Sequence, residues 1–415
     1  MSAVPDLAAI EARDAADPLR DMRDRFVLPQ GVIYLDGNSL GAAPKSAFAE
    51  LDKAAREEWA DGLIRSWNRA GWFELAEQLG DRVGRLIGAA AGETVVCDTT
   101  SVNIYKALHA ALWLRPGRSV IVAEGGSFPT DIYMAEGVAA TRPGVTIRLE
   151  GVDAPAIEDL IDEQVAVVLV NHVNYKSGEL RDMAALTRKA HEAGAVIIWD
   201  LCHSAGALPV DLDGADADFA VGCTYKYLNG GPGAPAFIYA AKRHHEHIRQ
   251  PLTGWWGHAK PFAFEQGYQA GSGIRRFLCG TQPILSLRAL KGALDVWDDV
   301  DMTLLRQKSI ALTDLFIKLV GARCGEFDVT LVGPREGARR GSQVSFAHQN
   351  AYAIMQALID RGVIGDFRAP NVMRFGFTPL YVGYRDVWDA VAILHDILKT
   401  GSWKEERFAV RATVT

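Results

Sequence analysis

Long apolar runs are missing from this chain. The most continuous ones, such as Val165 to Val170 and Val196 to Trp199, fall far short of the ~20 residues needed to span ~30 Å of hydrocarbon, which excludes membrane-crossing helices. Cysteine is sparse: Cys97, Cys202, Cys223, Cys279 and Cys324 are odd in number, scattered, and form no C-x-x-C pair. That excludes a disulfide framework and a cysteine-based zinc site, and fits a reducing compartment. No polybasic run or arginine-rich tail is present. With a net charge of −7 and both signs interspersed, the chain is not built to follow a nucleic-acid backbone. The stretch Met1 to Phe26 is peppered with Asp and Arg where a signal peptide needs an unbroken apolar segment, so it reads as a solvated helix and the expected location is the cytoplasm. Internal repeats and low-complexity linkers are lacking as well.

What is present is size and a regular pattern. With 415 residues, 49% of them hydrophobic, the chain can bury a large core and exceeds one compact domain. Strands are expected at Thr94 to Cys97, Ser119 to Ala123, Thr146 to Leu149, Val165 to Val170, Val196 to Trp199, Phe219 to Gly222 and Ala236 to Tyr239, with helical patterns between most of them. Such alternation predicts an α/β fold with a mostly parallel, doubly wound sheet. Beyond about Pro283 the pattern changes. A long helix is expected from Leu285 to Asp299 and on past Met302, then strands near Val329 to Val332 and Gln343 to Phe346, and helices over Ala351 to Arg361 and Asp386 to Lys399. This predicts a smaller C-terminal α+β domain. The expected organisation is an N-terminal helix and turn over 1–45, a large domain over 46–284 and the small domain over 285–415.

Chemistry concentrates at strand ends. Val196-Ile-Ile-Trp-Asp-Leu-Cys-His203 places Asp200 at the end of a buried strand with His203 three residues on, at the edge where open α/β sheets bind ligands. Phe219-Ala-Val-Gly-Cys-Thr-Tyr-Lys-Tyr-Leu-Asn-Gly-Gly-Pro-Gly233 presents Lys226 beside Tyr225, just after a strand and ahead of a glycine-rich loop. A lysine so placed can reach a carbonyl, and a buried carboxylate needs a cationic partner. Taken singly, each feature has a plain structural reading: an Asp after a strand is usually a helix cap, and glycine-rich loops are often only turns. Asp98-Thr-Thr-Ser-Val-Asn103 leaves a strand and opens the helical stripe Val102 to Trp113, a natural anion site, with Thr100 and Ser101 as candidates, although a Ser/Thr helix cap has the same appearance. Gly125-Gly-Ser-Phe-Pro-Thr-Asp131 follows another strand and offers Phe128 as a stacking ring.

In this order, Tyr-Leu-Asp-Gly-Asn-Ser-Leu-Gly (from Tyr34), Thr-Ser-Val-Asn, Phe-Pro-Thr-Asp, Asp-Leu-Cys-His-Ser-Ala-Gly and Tyr-Lys-Tyr-Leu-Asn-Gly-Gly-Pro-Gly resemble the kynureninases, which are fold-type-I enzymes of pyridoxal 5'-phosphate (PLP). The resemblance runs from about Tyr34 to Tyr384 and takes in Gly254-Trp-Trp-Gly-His258, Gly280-Thr-Gln-Pro283, Arg340-Gly-Ser-Gln-Val-Ser345 and Met373-Arg-Phe-Gly-Phe-Thr-Pro-Leu-Tyr381. It implies PLP as a Schiff base on Lys226, Asp200 on the pyridinium nitrogen, Phe128 stacked on the ring with Pro129, Thr130 and Asp131 in the same loop, and His203 beside the ring hydroxyl. The phosphate would be held by Thr100, Ser101 and Tyr225, and by Trp255 and Thr281 from the second subunit of a homodimer. Arg374 would fork onto the substrate α-carboxylate, Asn38 would add a hydrogen bond, and Trp67, Trp255 and His258 would flank the substrate's aryl ring. One departure is Asn171, which stands where many relatives have Ser or Thr.

The implied reaction is hydrolysis of L-kynurenine, or of its 3-hydroxy form, to anthranilate or 3-hydroxyanthranilate and L-alanine, a step of tryptophan breakdown. Lys226 would move a proton from Cα to C4', water would add to the γ-carbonyl, the Cβ–Cγ bond would break, and Tyr225, tuned by the phosphate and Asp131, would protonate the enamine. The nearest rival is a cysteine desulfurase or selenocysteine lyase, which needs a nucleophilic cysteine on a mobile loop. The corresponding segment, Gly333 to Gly341, has none, and Cys324 lies earlier. A metal module on Arg243-His-His-Glu-His247 lacks a matching ligand cluster and reads as a solvated helix. A regulatory protein on this fold would need a DNA-binding domain, for which no residues remain.

Overall fold

A computed structural model describes residues 5–151 and 155–411. Two compact units emerge: one comprises 46–175 and 181–295, the other 1–45, 176–180 and 296–415. The second is therefore assembled from both ends of the chain. Its N-terminal part carries three short strands, β1 (Phe26–Val27), β2 (Ile33–Tyr34) and β3 (Ala43–Pro44).

The first unit is built on seven strands: β4 (Thr94–Val96), β5 (Val120–Glu124), β6 (Thr146–Glu150), β7 (Val165–Asn171), β8 (Val196–Asp200), β9 (Phe219–Gly222) and β10 (Phe237–Ala240). All seven expected strands are found, with ends shifted by no more than a residue or so. They lie in the order β4-β10-β9-β8-β7-β5-β6. Strands β5 to β9 run parallel to one another, while β10 is antiparallel to both β4 and β9. Every residue of β7, β8 and β9 is buried, as a sheet covered by helices on both faces requires. The chain order reverses around β5, so the loops leaving β5, β7, β8 and β9 share one sheet edge, where open α/β sheets place their ligands.

The other unit continues with β11 (Thr330–Val332), β12 (Gln343–Ala347), β13 (Val363–Ile364), β14 (Asp366–Arg368) and β15 (Val372–Gly376). An antiparallel sheet runs β11-β12-β15-β14, and β13 pairs with β2 in parallel. The long helix Met302–Arg323 sets Phe316 against Phe346, Phe375 and Phe377, at ring-centroid separations of 6.0, 4.9 and 5.2 Å.

Three expectations are corrected. The helix starting near Leu285 does not run through Met302: it ends at Leu294, passes through a 3-10 turn (Asp295–Asp299), and a new helix begins at Met302. The reason is Asp301, whose carboxylate accepts from the amides of Thr303 and Leu304 and so caps a fresh N-terminus. The N-terminal stretch is not simply solvated. Residues 1–4 lie outside the described residues, but in the helix Leu7–Ala15 the side chain of Ile10 is wholly buried, and the helix packs on Tyr384–Thr400. The histidine-rich stretch is a 3-10 turn (Lys242–His247), not a solvated helix. There His245 is buried and His244 bonds Asp218 at 2.7 Å. Among the described residues there is no cluster of ligands suited to a metal ion, and no helix is long and apolar enough to cross a membrane.

Candidate active site

Lys226 follows β9 in a tight loop. The loop closes through Gly230 N–H to the Thr224 carbonyl (2.8 Å), Asn229 N–H to the Lys226 carbonyl (2.9 Å) and the Thr224 hydroxyl to the Pro235 carbonyl (2.6 Å). Gly231 and Gly233 take φ values of +92° and +71°, a region that only glycine occupies freely. The Lys226 Nζ lies 2.9 Å from His203 Nε2. It stands 6.0 Å from the centroid of Phe128 and 5.9 Å from that of Tyr225.

At the end of β8, Asp200 is 4% exposed and accepts from the Cys202 amide at 2.7 Å. Burial raises its pKa, opposed by that amide and by Lys226. Asp131, in the turn of helix that follows Phe128, is equally buried. Burial first, and then the charge of Asp200, push it well above the usual carboxylate range. Burial of both carboxyls makes a cationic partner on either one favourable, and Lys226 already pulls both down.

The structure gives Asn171 a definite task. At the end of β7, in register with Asp200, its Nδ2 donates to Ser127 Oγ (2.7 Å) and to Asp131 Oδ2 (2.8 Å). A single Ser or Thr hydroxyl could not donate to both. Asp131 is thus bonded to Asn171, while the surroundings of Tyr225 are different: burial, and then the thiols of Cys223 and Cys202, raise its phenol. Sequence reading missed these two cysteines, although each lies within three residues of Asp200 or Lys226.

At the end of β4 the helix Thr100–Leu114 begins. Thr99 caps it, its hydroxyl accepting from the Val102 amide at 3.3 Å. Thr100 and Ser101 therefore form the first turn, with free N–H groups of the kind that bind anions; the Thr100 hydroxyl lies 3.7 Å from Cys202 Sγ. The turn is held from behind by Lys106, wholly buried, whose ammonium meets the Asp98 carboxylate and the Phe277 carbonyl. Nothing in the sequence pattern marked that lysine, since it lies on the apolar face of its helix.

Trp67 joins an aromatic cluster with Trp72 (5.4 Å) and Trp256 (5.2 Å), and Trp256 in turn meets Trp255 at 4.7 Å and Phe73 at 4.9 Å. Two of the three expected aryl-ring residues are thus linked through Trp256. His258 instead serves its own loop: Nδ1 accepts from the Lys260 amide (2.9 Å) and Nε2 faces the Gly267 carbonyl (3.3 Å). Trp255 and Thr281 are exposed. In the other unit, Asn38 is fully buried and its Nδ2 lies 3.4 Å from Gln343 Oε1. A Cβ on Gly376 would come within 2.0 Å of Asn38 Oδ1, so that position admits only glycine. Arg374 on β15 is 1% exposed and paired with Asp366.

A lysine at a sheet edge, a buried aspartate on the adjacent strand, an aromatic face and the first turn of a helix suit an aldehyde, a protonated ring nitrogen, a flat ring and a phosphate in turn. Fold and site together define a fold-type-I PLP enzyme. Comparison with solved structures agrees on the fold: a cysteine desulfurase from Thermococcus onnurineus NA1 superposes with a TM-score of 0.76 at 20% identity, over 92% of this chain and 98% of that one. The cystine C–S lyase C-DES superposes at 0.77 with 17% identity, over 88% and 98%. Sequence comparison is more specific. The model of the kynureninase C-terminal domain matches residues 305–394. A kynureninase of Pseudomonas fluorescens is 56% identical over 97% of this chain and 98% of its own length, and one of Burkholderia pseudomallei is 53% identical over the same shares. The chain belongs to the kynureninase family.

Proposed function

We propose that this enzyme hydrolyses L-kynurenine to anthranilate and L-alanine by cleaving the Cβ–Cγ bond, with PLP held on Lys226. The observation that carries the reading is the Lys226–His203–Asp200 arrangement in a chain 56% identical to a kynureninase over nearly its whole length. PLP supplies an electron sink for the pair released at Cα. Asp200 would hold the protonated ring nitrogen, and Phe128 would cover a ring face. Lys226 would carry the proton taken from Cα, with His203 Nε2, 2.9 Å from its Nζ, within reach to steady it. Tyr225, whose raised pKa keeps the phenol protonated, donates a proton to the carbon freed by cleavage. Arg374 holds the α-carboxylate, Asn38 contributes a hydrogen bond, and Trp67, Trp255 and Trp256 receive the aryl ring. The enzyme acts in the cytoplasm as a homodimer in which Trp255 and Thr281 serve the phosphate of the neighbouring subunit, a role their exposure supports.

The test is an absorbance spectrum of the purified protein before and after L-kynurenine, with anthranilate fluorescence followed alongside. A yellow protein whose band shifts as anthranilate appears, with both responses lost in Lys226→Ala, is the expected result. A yellow protein inert to kynurenine overturns the substrate, and one that stays colourless after reconstitution with PLP overturns the cofactor site.

A further inference from the structure

Cys202 and Cys223 stand 21 residues apart in the chain and meet where β8 and β9 end. The two strands pair in parallel with Asp200 opposite Val221. The Leu201 amide, donating to the Val221 carbonyl at 2.8 Å, carries the pairing one residue beyond β8, and the next residue on each exit is a cysteine. Neighbouring strands run about 4.8 Å apart, inside the Cα separation of roughly 4.4–6.8 Å that a disulfide spans, and matching positions on parallel strands face the same way. The side chains do meet: Cys223 Sγ lies 3.9 Å from the Cys202 carbonyl oxygen, and the two thiols share a hydrogen bond. Both are free thiols. Burial works against ionisation of Cys223, but the Cys202 thiol and Lys226 outweigh it and lower its pKa; donating to Cys223, and then burial, hold the proton on Cys202. Cys223 therefore supplies the thiolate, the form of a cysteine that reacts. Cys202 is partly exposed and Cys223 is 3% exposed, so a small oxidant reaches the pair from the Cys202 side.

We propose that Cys202 and Cys223 form a reversible oxidation site, at which a peroxide closes a disulfide between the exits of β8 and β9 and switches the enzyme off. The Cys223 thiolate attacks one peroxide oxygen, the O–O bond breaks, and the other oxygen leaves as hydroxide and is protonated to water. Cys223 is then a sulfenic acid. The Cys202 sulfur, giving up its proton, attacks the Cys223 sulfur, the S–O bond breaks and a second water leaves. Two electrons have passed from the sulfurs to the peroxide, and a dithiol reductant returns them. Closing an S–S bond of about 2.05 Å pulls the two exits together. The Cys202 amide donates to Asp200 Oδ1 (2.7 Å), its Sγ lies 3.7 Å from the Thr100 hydroxyl, and the next residue, His203, meets Lys226 Nζ at 2.9 Å. One movement therefore disturbs all three groups, and misplacement by ~1 Å in an active site costs about 100-fold in rate.

The experiment treats the PLP-loaded enzyme with hydrogen peroxide. Two of the five thiols are expected to disappear, the mass of the whole chain to fall by two hydrogen atoms, and an unreduced peptide map to link Cys202 to Cys223. Activity towards L-kynurenine should fall about 100-fold and return on adding dithiothreitol. Cys202→Ala and Cys223→Ala should each keep their own starting activity through the same treatment, while Cys279→Ala, which alters another partly exposed cysteine, should be inactivated as the wild type is. A link between other cysteines, oxygen added at either of the two in place of the link, a linked enzyme that stays fully active, or inactivation that persists in both alanine variants overturns the proposal. Should one alanine variant fail to fold, the other and the wild-type map decide. Thiol count and peptide map are blind to the substrate, so failure of the kynurenine reading and failure of the oxidation site are seen separately.

Discussion

Asp36 lies beside the Asp366–Arg374 pair, at the end of β2, where its carbonyl accepts from the amides of Ser39 and Leu40. Burial, and then the carboxylate of Asp366, push its carboxyl up to about 8 against the pull of Arg374 and Ser39. The other charged and titratable groups around it are Tyr34 and Arg368, and Tyr381 neighbours Tyr34. Below pH 8 Asp36 is neutral; above it, an added negative charge cancels the excess positive charge of Arg374 and Arg368 over Asp366. KM for L-kynurenine should therefore climb as pH passes through 8, and Asp36→Asn should remove that climb in a profile of KM against pH. Stability follows the same proton. The folded state holds it where the unfolded chain has lost it, so this contribution is full below about pH 4 and fades as pH rises through 8. Residues such as Asp36 and Asp366 were hard to recognise from sequence, because their importance comes from which residue faces them. Asp200, His203 and Lys226 were readable because a strand end is visible in the pattern, and what leaves it is chemically distinctive. Asn171 was visible only as a departure, and its two hydrogen bonds show what the amide accomplishes that a hydroxyl would not.

At the level of elements, β7, β8 and β9 were legible because each is a short, continuous apolar run. By contrast β14 was not, since Gly365-Asp-Phe-Arg-Ala-Pro reads as a turn and becomes a strand only through pairing with β15. The break before Met302 was hidden for the opposite reason: the apolar stripe continues across it, and only the cap at Asp301 interrupts the helix. Elements are also joined by charge. Asp218, just before β9, accepts from His191 Nε2 (2.9 Å), His244 Nε2 (2.7 Å), Arg243 (2.8 Å) and the Ile197 amide (2.9 Å), tying a helix, two strands and the histidine-rich turn together. Burial alone would raise this carboxyl, but the two histidines and the amide outweigh it and hold it far below the usual range. Its stabilisation is therefore present above about pH 4 and is lost as pH falls further. The Asp218 bond likewise raises His191, so that part is present below about pH 6.5 and fades as pH rises through the higher folded value. Asp218→Asn should cost about 3–5 kcal/mol near neutral pH, and melting temperatures recorded from pH 3 to 9 should lose both slopes.

For the whole molecule, the fold alone would not have identified the chemistry, since the solved structures that share it include a cysteine desulfurase at 20% identity and a cystine C–S lyase at 17%. The residues on the scaffold, and the relatives they match, distinguish the families. A homodimer that shares phosphate contacts has a clear signature. Lys226→Ala subunits and subunits carrying both Trp255→Ala and Thr281→Ala should each be nearly inactive alone. Mixed under exchange they should regain roughly a quarter of wild-type activity, because half the dimers then hold one site free of both lesions; no recovery would mean that each site is made by a single chain. The strand pairings bear also on how the protein is made. Edge strand β4, which leads into the Thr100 turn, gains its sheet neighbour only when β10 has left the ribosome, and β2 waits for β13, which follows the whole of the first unit in the chain. Order of synthesis and order of pairing thus diverge for β2: the cofactor-bearing unit is complete while β14 and β15, which carry Asp366, Arg368 and Arg374, are still to be made. A ribosome stalled between the two would release a chain with Lys226 in its loop and the Asp366–Arg374 pair not yet made.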